Sequence, residues 1–326
     1  MMAHELEMAK DGTASMAYVG ETPWHGLGKR VPADVSPEQM LQAAGLDWTV
    51  EKMPLFFNDS AGPVLTHARA LVRSTDRKVL TVISDNWNPV QNLEAFQFFD
   101  DFVKAGDMEM HTAGSLREGK MVWAMAQIKD SFELFGGDKV EGFLLFSNPH
   151  EFGRSIDIRF TPVRVVCNNT HTLALNSTNQ HAVKINHRAK FNGDQVKMTL
   201  GIAKERLDEY KEQALYLGQK KYQKETLVEY FNRVFPSFTK DESKKLDLRK
   251  LPVGRQAEEA MATIHTQPGA RFAEGSWWQA FNTVTYMVDH KLGRSQDSRL
   301  SSAWYGLNRA KKEQALELAI EYAEMA

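Results

Sequence analysis

One cysteine, Cys167, stands in 326 residues. It cannot close an internal disulfide, and without a Cys-x-x-Cys pair a thiolate zinc site is excluded. No apolar run reaches the roughly eighteen residues that a membrane-spanning helix needs. The opening residues, MMAHELEMAKDGTASM, lack the basic start and apolar core of a signal peptide. A cytoplasmic location is the resulting expectation. Also missing are a Gly-x-Ser-x-Gly elbow, a P-loop Lys-Ser/Thr and a Gly-x-Gly-x-x-Gly turn. Their absence removes the common hydrolase, NTPase and Rossmann readings. The histidines are scattered, with no pair four apart on a helical stretch and no His-x-Glu signature. No metal and no cofactor are expected.

What the chain does have is an uneven distribution of charge. The formal net charge is -2. Residues 1–153 carry 13 lysines and arginines against 22 acids, residues 154–255 carry 20 against 11, and residues 256–326 carry 7 against 9. A basic middle in a near-neutral chain points to a polyanionic partner, although lysine-rich helices over 204–250 would also be solvated simply as helices.

Residues 1–30 read as an extended arm ending at Thr22–Gly28 (TPWHGLG), with Trp24 and His25 at the tip of a turn. Those two side chains either stack on a base or fill a hydrophobic hole. From 31 to 195 the pattern is that of an α+β sheet domain. Ser36-Pro37-Glu38 starts a helix that Gly45 stops. Strands are predicted over 48–57, 67–74 and 78–84, then a helix over 92–105 capped by Asn92, then strands over 108–116, 120–128, 143–146 and 154–167. A meander followed by a helix is also how Rad52-like annealing proteins begin, by analogy of fold. From 196 to 326 the periodicity is helical, with helices over 196–218, 225–234, 256–264, 276–290 and 311–325.

The stretch from Arg154 to Phe191 concentrates the binding chemistry. It holds six lysines and arginines against one acid, Asp157. Ile156, Ile158 and Phe160 alternate with Asp157 and Arg159, as in a strand with one polar face. Arg154, Arg159 and Arg164 are five apart, so aligning all three needs a break, which Thr161-Pro162 would supply. Arg164 within Val163–Val166 either enters a polar groove or is buried against a carboxylate such as Asp157. Asn168, Asn169, Thr170 and His171 follow, suited to phosphate or sugar oxygens or to capping a helix. Lys184, His187, Arg188 and Lys190 complete the set. Cys167 is either a small buried hydrophobe or a nucleophile activated by His171.

Three strings, TPWHGLG (22–28), TPVRVVCNNT (161–170) and WQAFNTVTYMVDH (278–290), resemble the DUF932 family of phage- and plasmid-encoded proteins, over roughly Met16 to Ala323. The resemblance implies a mobile-element protein close to DNA metabolism, in a bacterial or phage-infected cytoplasm. With the basic segment, it gives a first expectation: a homo-oligomeric protein that binds single-stranded DNA in recombination or replication, without enzymatic activity and without a membrane. Two alternatives stand beside it. One is a motif-poor enzyme acting on a nucleotide or nucleic acid, using Cys167, His171 or His187. The other is a protein-binding module that antagonises a host defence complex through the acidic first half.

Overall fold

The computed structural model describes residues 6–9, 12–21, 26–164, 169–170, 182–194, 202–238, 246–292, 302 and 306–325. The protein is α+β, with eleven strands among these residues. The chain divides into two units. The first comprises Met1–Lys129, Phe143–Phe160 and Ala182–Gly201, and the second comprises Asp130–Gly142, Thr161–His181 and Ile202–Ala326.

Strands β1 (Met16–Val19) and β2 (Lys29–Val31) pair in parallel, and β1 pairs antiparallel with β6 (Met108–Leu116). Two strands of the segment read as an extended arm thus join the sheet, and Met16, Ala17 and Tyr18 are buried. Apolar Met-Ala-Tyr-Val offers enough burial to outweigh the freedom of a loose terminus. The sheet continues through β7 (Met121–Leu134), β8 (Asp138–Pro149) and β9 (Ile156–Arg164), in the order β9-β8-β7-β6-β1-β2. Both β10 (Asn169–Thr170) and β11 (Ala182–Ile185) pair antiparallel with β9. The tip of β7–β8 belongs to the second unit, which is why a boundary drawn once along the sequence misses it.

A separate antiparallel meander is made by β3 (Val50–Asp59), β4 (Gly62–Arg73) and β5 (Val79–Ser84). Helix α1 (Pro37–Ala43) starts as its sequence dictates. The Ser36 hydroxyl accepts from the Gln39 amide at 3.2 Å, and the Gln39 side chain accepts from the Ser36 amide at 3.0 Å. The helix predicted over 92–105 is instead two short ones, α2 (Asn92–Gln97) and α3 (Asp100–Ala105). Phe96, Phe98 and Phe99 are all buried. Phe98 and Phe99 both pack against Phe146, with ring centroids 5.3 and 6.3 Å away. Gly106, at φ 80°, closes α3 in the left-handed conformation.

The second unit is built around α7 (Trp277–Tyr286), with α4 (Ile202–Gln219), α5 (Lys224–Val234), α6 (Arg255–Thr263) and α8 (Leu307–Glu324). All residues of α7 from Trp277 to Thr285 are buried. Its glutamine survives burial because every polar atom is used. Gln279 Nε2 donates to the Ile264 and Ala270 carbonyls, and Oε1 accepts from Tyr222 Oη and the Gly275 amide. Trp277 stacks on Tyr322 of α8 at 5.2 Å, and Trp278 Nε1 donates to Asp138 at 3.2 Å. Gly218 lets α4 approach Phe135, whose ring would lie 2.0 Å from a β-carbon there. Asp289 forms an ion pair with Lys312, whose side chain is fully buried, at 2.9 Å.

Candidate nucleic-acid interface

The loop between β5 and α2, Trp87-Asn88-Pro89-Val90-Gln91-Asn92, is apolar at its centre and tied down residue by residue. Buried polar groups do the tying. Asn148 Nδ2 donates to the Val90 carbonyl at 2.9 Å. Gln91 exchanges two hydrogen bonds with the backbone of Val50, at 2.9 and 3.0 Å, in place of a strand partner. Asn92, expected to cap a helix, turns inward: its Nδ2 donates to the Leu46 and Trp48 carbonyls, and its Oδ1 faces His150 Nε2 at 2.9 Å. That assigns the His150 tautomer. Asn92 Oδ1 can only accept, so Nε2 carries the proton and donates, and Nδ1 holds a lone pair.

His187 clamps the same loop from the other side. Its ring stacks on Trp87 at 4.0 Å with planes 22° apart. Nδ1–H donates to the Asn88 carbonyl at 3.0 Å, while the Asn88 amide donates to the His187 carbonyl at 2.7 Å. Neither imidazole is poised to charge. Burial, with the neighbouring His187 and Arg73 adding to it, pushes His150 down to about 3. Burial also lowers His187, against the pull of the Asn88 carbonyl.

This clamp fixes the segment that carries the exposed cations. On its upstream side β11 is registered to β9, with Lys184 opposite Asp157 and Ile185 opposite Ile156. The Arg188 amide donates to Asn186 Oδ1 at 2.9 Å, which shapes the turn. Downstream, Phe191 packs against Phe146 at 5.7 Å. Between these anchors Lys184, Arg188 and Lys190 are exposed. None of the three makes an ion pair among the described residues. They form a short row of cations on a backbone that is held in place.

The other expected site residues separate from this row. His187 itself is 1% exposed and serves the clamp, so it offers no edge to a nucleic acid. Arg159 is 4% exposed and donates through Nε and Nη2 to Asp157, at 2.6 Å for Nε. The alternating pattern of β9 is present, but its polar face is covered as fully as its apolar one. Arg154 is exposed and bonds Glu151 at 2.8 Å, a carboxylate that also takes Arg117 at 3.0 Å. Arg164 and Asn169 are backbone partners across β9 and β10, and Thr170 lies beside Asn169 on β10. Trp24, His25, Cys167, Asn168 and His171 lie outside the described residues. The two glycines after Trp24 and His25, Gly26 and Gly28, line a cleft of about 610 Å³ with Lys29, Gln42 and Gly45.

Sequence reasoning missed Trp87, Asn88, Asn92, Asn148 and His150. The available signal was the pair of Asn-Pro steps, Asn88-Pro89 and Asn148-Pro149, each of which sets a side-chain amide beside a constrained backbone. No group of three or more His, Cys, Asp or Glu among the described residues is placed to hold a metal ion. No helix among them is long and apolar enough to cross a membrane.

Compared with known families, the chain matches one model, described as a domain of unknown function (DUF932), over residues 79–304. The match includes the clamp, the cation row and two of the three strings; TPWHGLG lies before it. No curated protein and no solved structure matches the chain.

Proposed function

Because the chain belongs to the DUF932 family, for which no activity is assigned, we propose its function from the site: it binds nucleic acid, single-stranded DNA by preference, through the segment from Lys184 to Lys190. The observation that carries this reading is the row of three exposed cations free of ion pairs among the described residues, on a backbone fixed by the Trp87–Asn88–His187 clamp. A cation already paired with a carboxylate must give up that partner to meet a phosphate, whereas these have none to give up among the described residues. A fixed backbone lowers the ordering cost of binding. The basic residues contact phosphates without reading bases, so the affinity is sequence-tolerant and dependent on salt. Work on DNA in phage or plasmid recombination or replication, as an oligomer with a Rad52-like annealing core, is the wider setting of the proposal. The meander followed by helices supports that setting by analogy alone.

Fluorescence anisotropy with labelled single- and double-stranded oligonucleotides across a salt series tests it. The expected result is tighter binding to the single strand, weakening linearly in log-log form as salt rises. No binding at about 50 mM salt, or binding indifferent to salt, overturns the proposal.

A further inference from the structure

The row of cations accounts for affinity to phosphate but not for a preference for one strand over two, since a duplex offers more phosphates. That preference needs contact with a base, and a sequence-tolerant base contact needs an aromatic ring in the open. Such a ring stands on the turn between β8 and β9. Glu151-Phe152-Gly153-Arg154 closes with the Arg154 amide donating to the Glu151 carbonyl at 3.4 Å. Gly153, at φ 82°, takes the left-handed position that a type II turn requires, and a β-carbon there would touch nothing. Phe152 is thereby set at the corner, 57% exposed. Turn corners are places for small or polar residues, so the fold itself gives no reason for a phenyl ring there. Nor is the corner loose. Glu151 pairs with Arg154 at 2.8 Å and with Arg117 at 3.0 Å, and the His150 amide donates to the Lys120 carbonyl at 2.9 Å.

The turn leaves the sheet at the same end as the row. β9 and β11 stay in register up to Ile156 and Ile185. Phe152 comes four residues before Ile156, and Arg188 three residues after Ile185. Both turns are also tied to β5 and the loop that follows it. The Phe152 amide donates to Thr81 Oγ1 at 3.4 Å, and Asn88 Nδ2 donates to the Arg188 carbonyl at 3.4 Å. Paired strands are about 5 Å apart, so two turns leaving one ladder end lie within the several nucleotides that a single-strand site spans. We propose that Phe152 is the platform on which an unpaired base stacks, and so the source of the preference for single strands. This rests on the reading of Lys184–Lys190 as the phosphate surface. In a duplex each base face is covered by its neighbours, so only an unpaired strand can lay a base on the ring.

Anisotropy titrations of full-length wild type, Phe152→Ala, Phe152→Leu and Phe152→Tyr test the assignment. The probes are a single strand, its duplex, and a strand of equal length built from abasic residues. Alanine and leucine should each weaken single-strand binding about tenfold. Neither should change the salt slope, because no phosphate contact is lost, nor the affinity for the duplex. Tyrosine, which keeps the ring, should bind as wild type does. On the abasic strand wild type should bind about tenfold more weakly than on the natural one, and no better than Phe152→Ala; the wild-type half of that comparison serves if a variant fails to fold. Melting temperatures should hold in all three variants, since the ring is exposed. Full affinity in Phe152→Ala or Phe152→Leu, or wild-type binding indifferent to the loss of bases, overturns the inference and leaves the row of cations standing. Wild type that binds no single strand at all overturns it together with the reading on which it rests.

Discussion

His150 makes the fold sensitive to mild acid. Its side chain is completely buried, donates through Nε2 to Asn92, and packs against Trp48 at 5.2 Å. The folded protein refuses a proton on His150 down to about pH 3, whereas an unfolded histidine takes one near pH 6.5. Between those values the unfolded chain binds the extra proton, so stability falls as pH drops through that window and is flat above it. Worked from the two pKa values, the loss between pH 7.5 and pH 5 is about 2 kcal/mol. His187, lowered in the same direction, adds to the wild-type slope. His150→Gln isolates the first contribution, because a glutamine amide can donate to Asn92 where Nε2 does. The variant will be less stable at pH 7.5 by about 1–2 kcal/mol from lost ring packing, so the informative quantity is the change with pH. Urea unfolding at pH 7.5 and pH 5 should show wild type losing about 2 kcal/mol more than the variant. Equal losses would mean that His150 is not held neutral and would refute the reasoning.

Other substitutions probe the buried charges and the clamp. Arg159→Ala should cost about 3–5 kcal/mol, because it strands Asp157 with its partner gone, while Arg159→Met with Asp157→Leu should recover most of that; denaturant midpoints decide. Lys312→Met should likewise destabilise by about 3–5 kcal/mol, because it removes a buried cation that pairs with the Asp289 carboxylate at 2.9 Å, seen as a lowered melting temperature. Trp87→Ala removes the ring on which His187 stacks, and should weaken single-stranded DNA binding while leaving the salt slope unchanged, since no phosphate contact is deleted; anisotropy titrations separate the two quantities.

Local signals in the sequence carried the elements that local chemistry determines. Ser36 and Gln39 form the capping box they spell out, and the Asp-Ser-Ala-Gly and Thr-Asp-Arg stretches at 59–62 and 75–77 mark where β3, β4 and β5 part. The failures share one cause, which is that burial on a second side leaves no mark in a single strand or helix. Asp157 and Arg159 alternate with isoleucines as a solvent face would, yet they neutralise each other and are covered. His187 sits among lysines and arginines and reads as a ligand. Its partner Asn88 is 99 residues away, beyond the reach of any periodicity. Asn92 reads as a cap, but two carbonyls from the α1–β3 connection claim its amide first. In β3 the contrast runs the other way: the strand carries Leu55-Phe56-Phe57, and both rings face solvent.

The measurement closest to the central claim is the salt dependence of single-stranded DNA affinity for wild type beside Lys184→Ala/Arg188→Ala/Lys190→Ala. Each lost phosphate contact removes about 0.7 from the log-log slope on a single strand. If the row of cations between β11 and Phe191 is the binding surface, the triple variant keeps its melting temperature and its slope is shallower by about 2. Parallel lines with equal affinity would place the interface elsewhere on the chain and contradict the account.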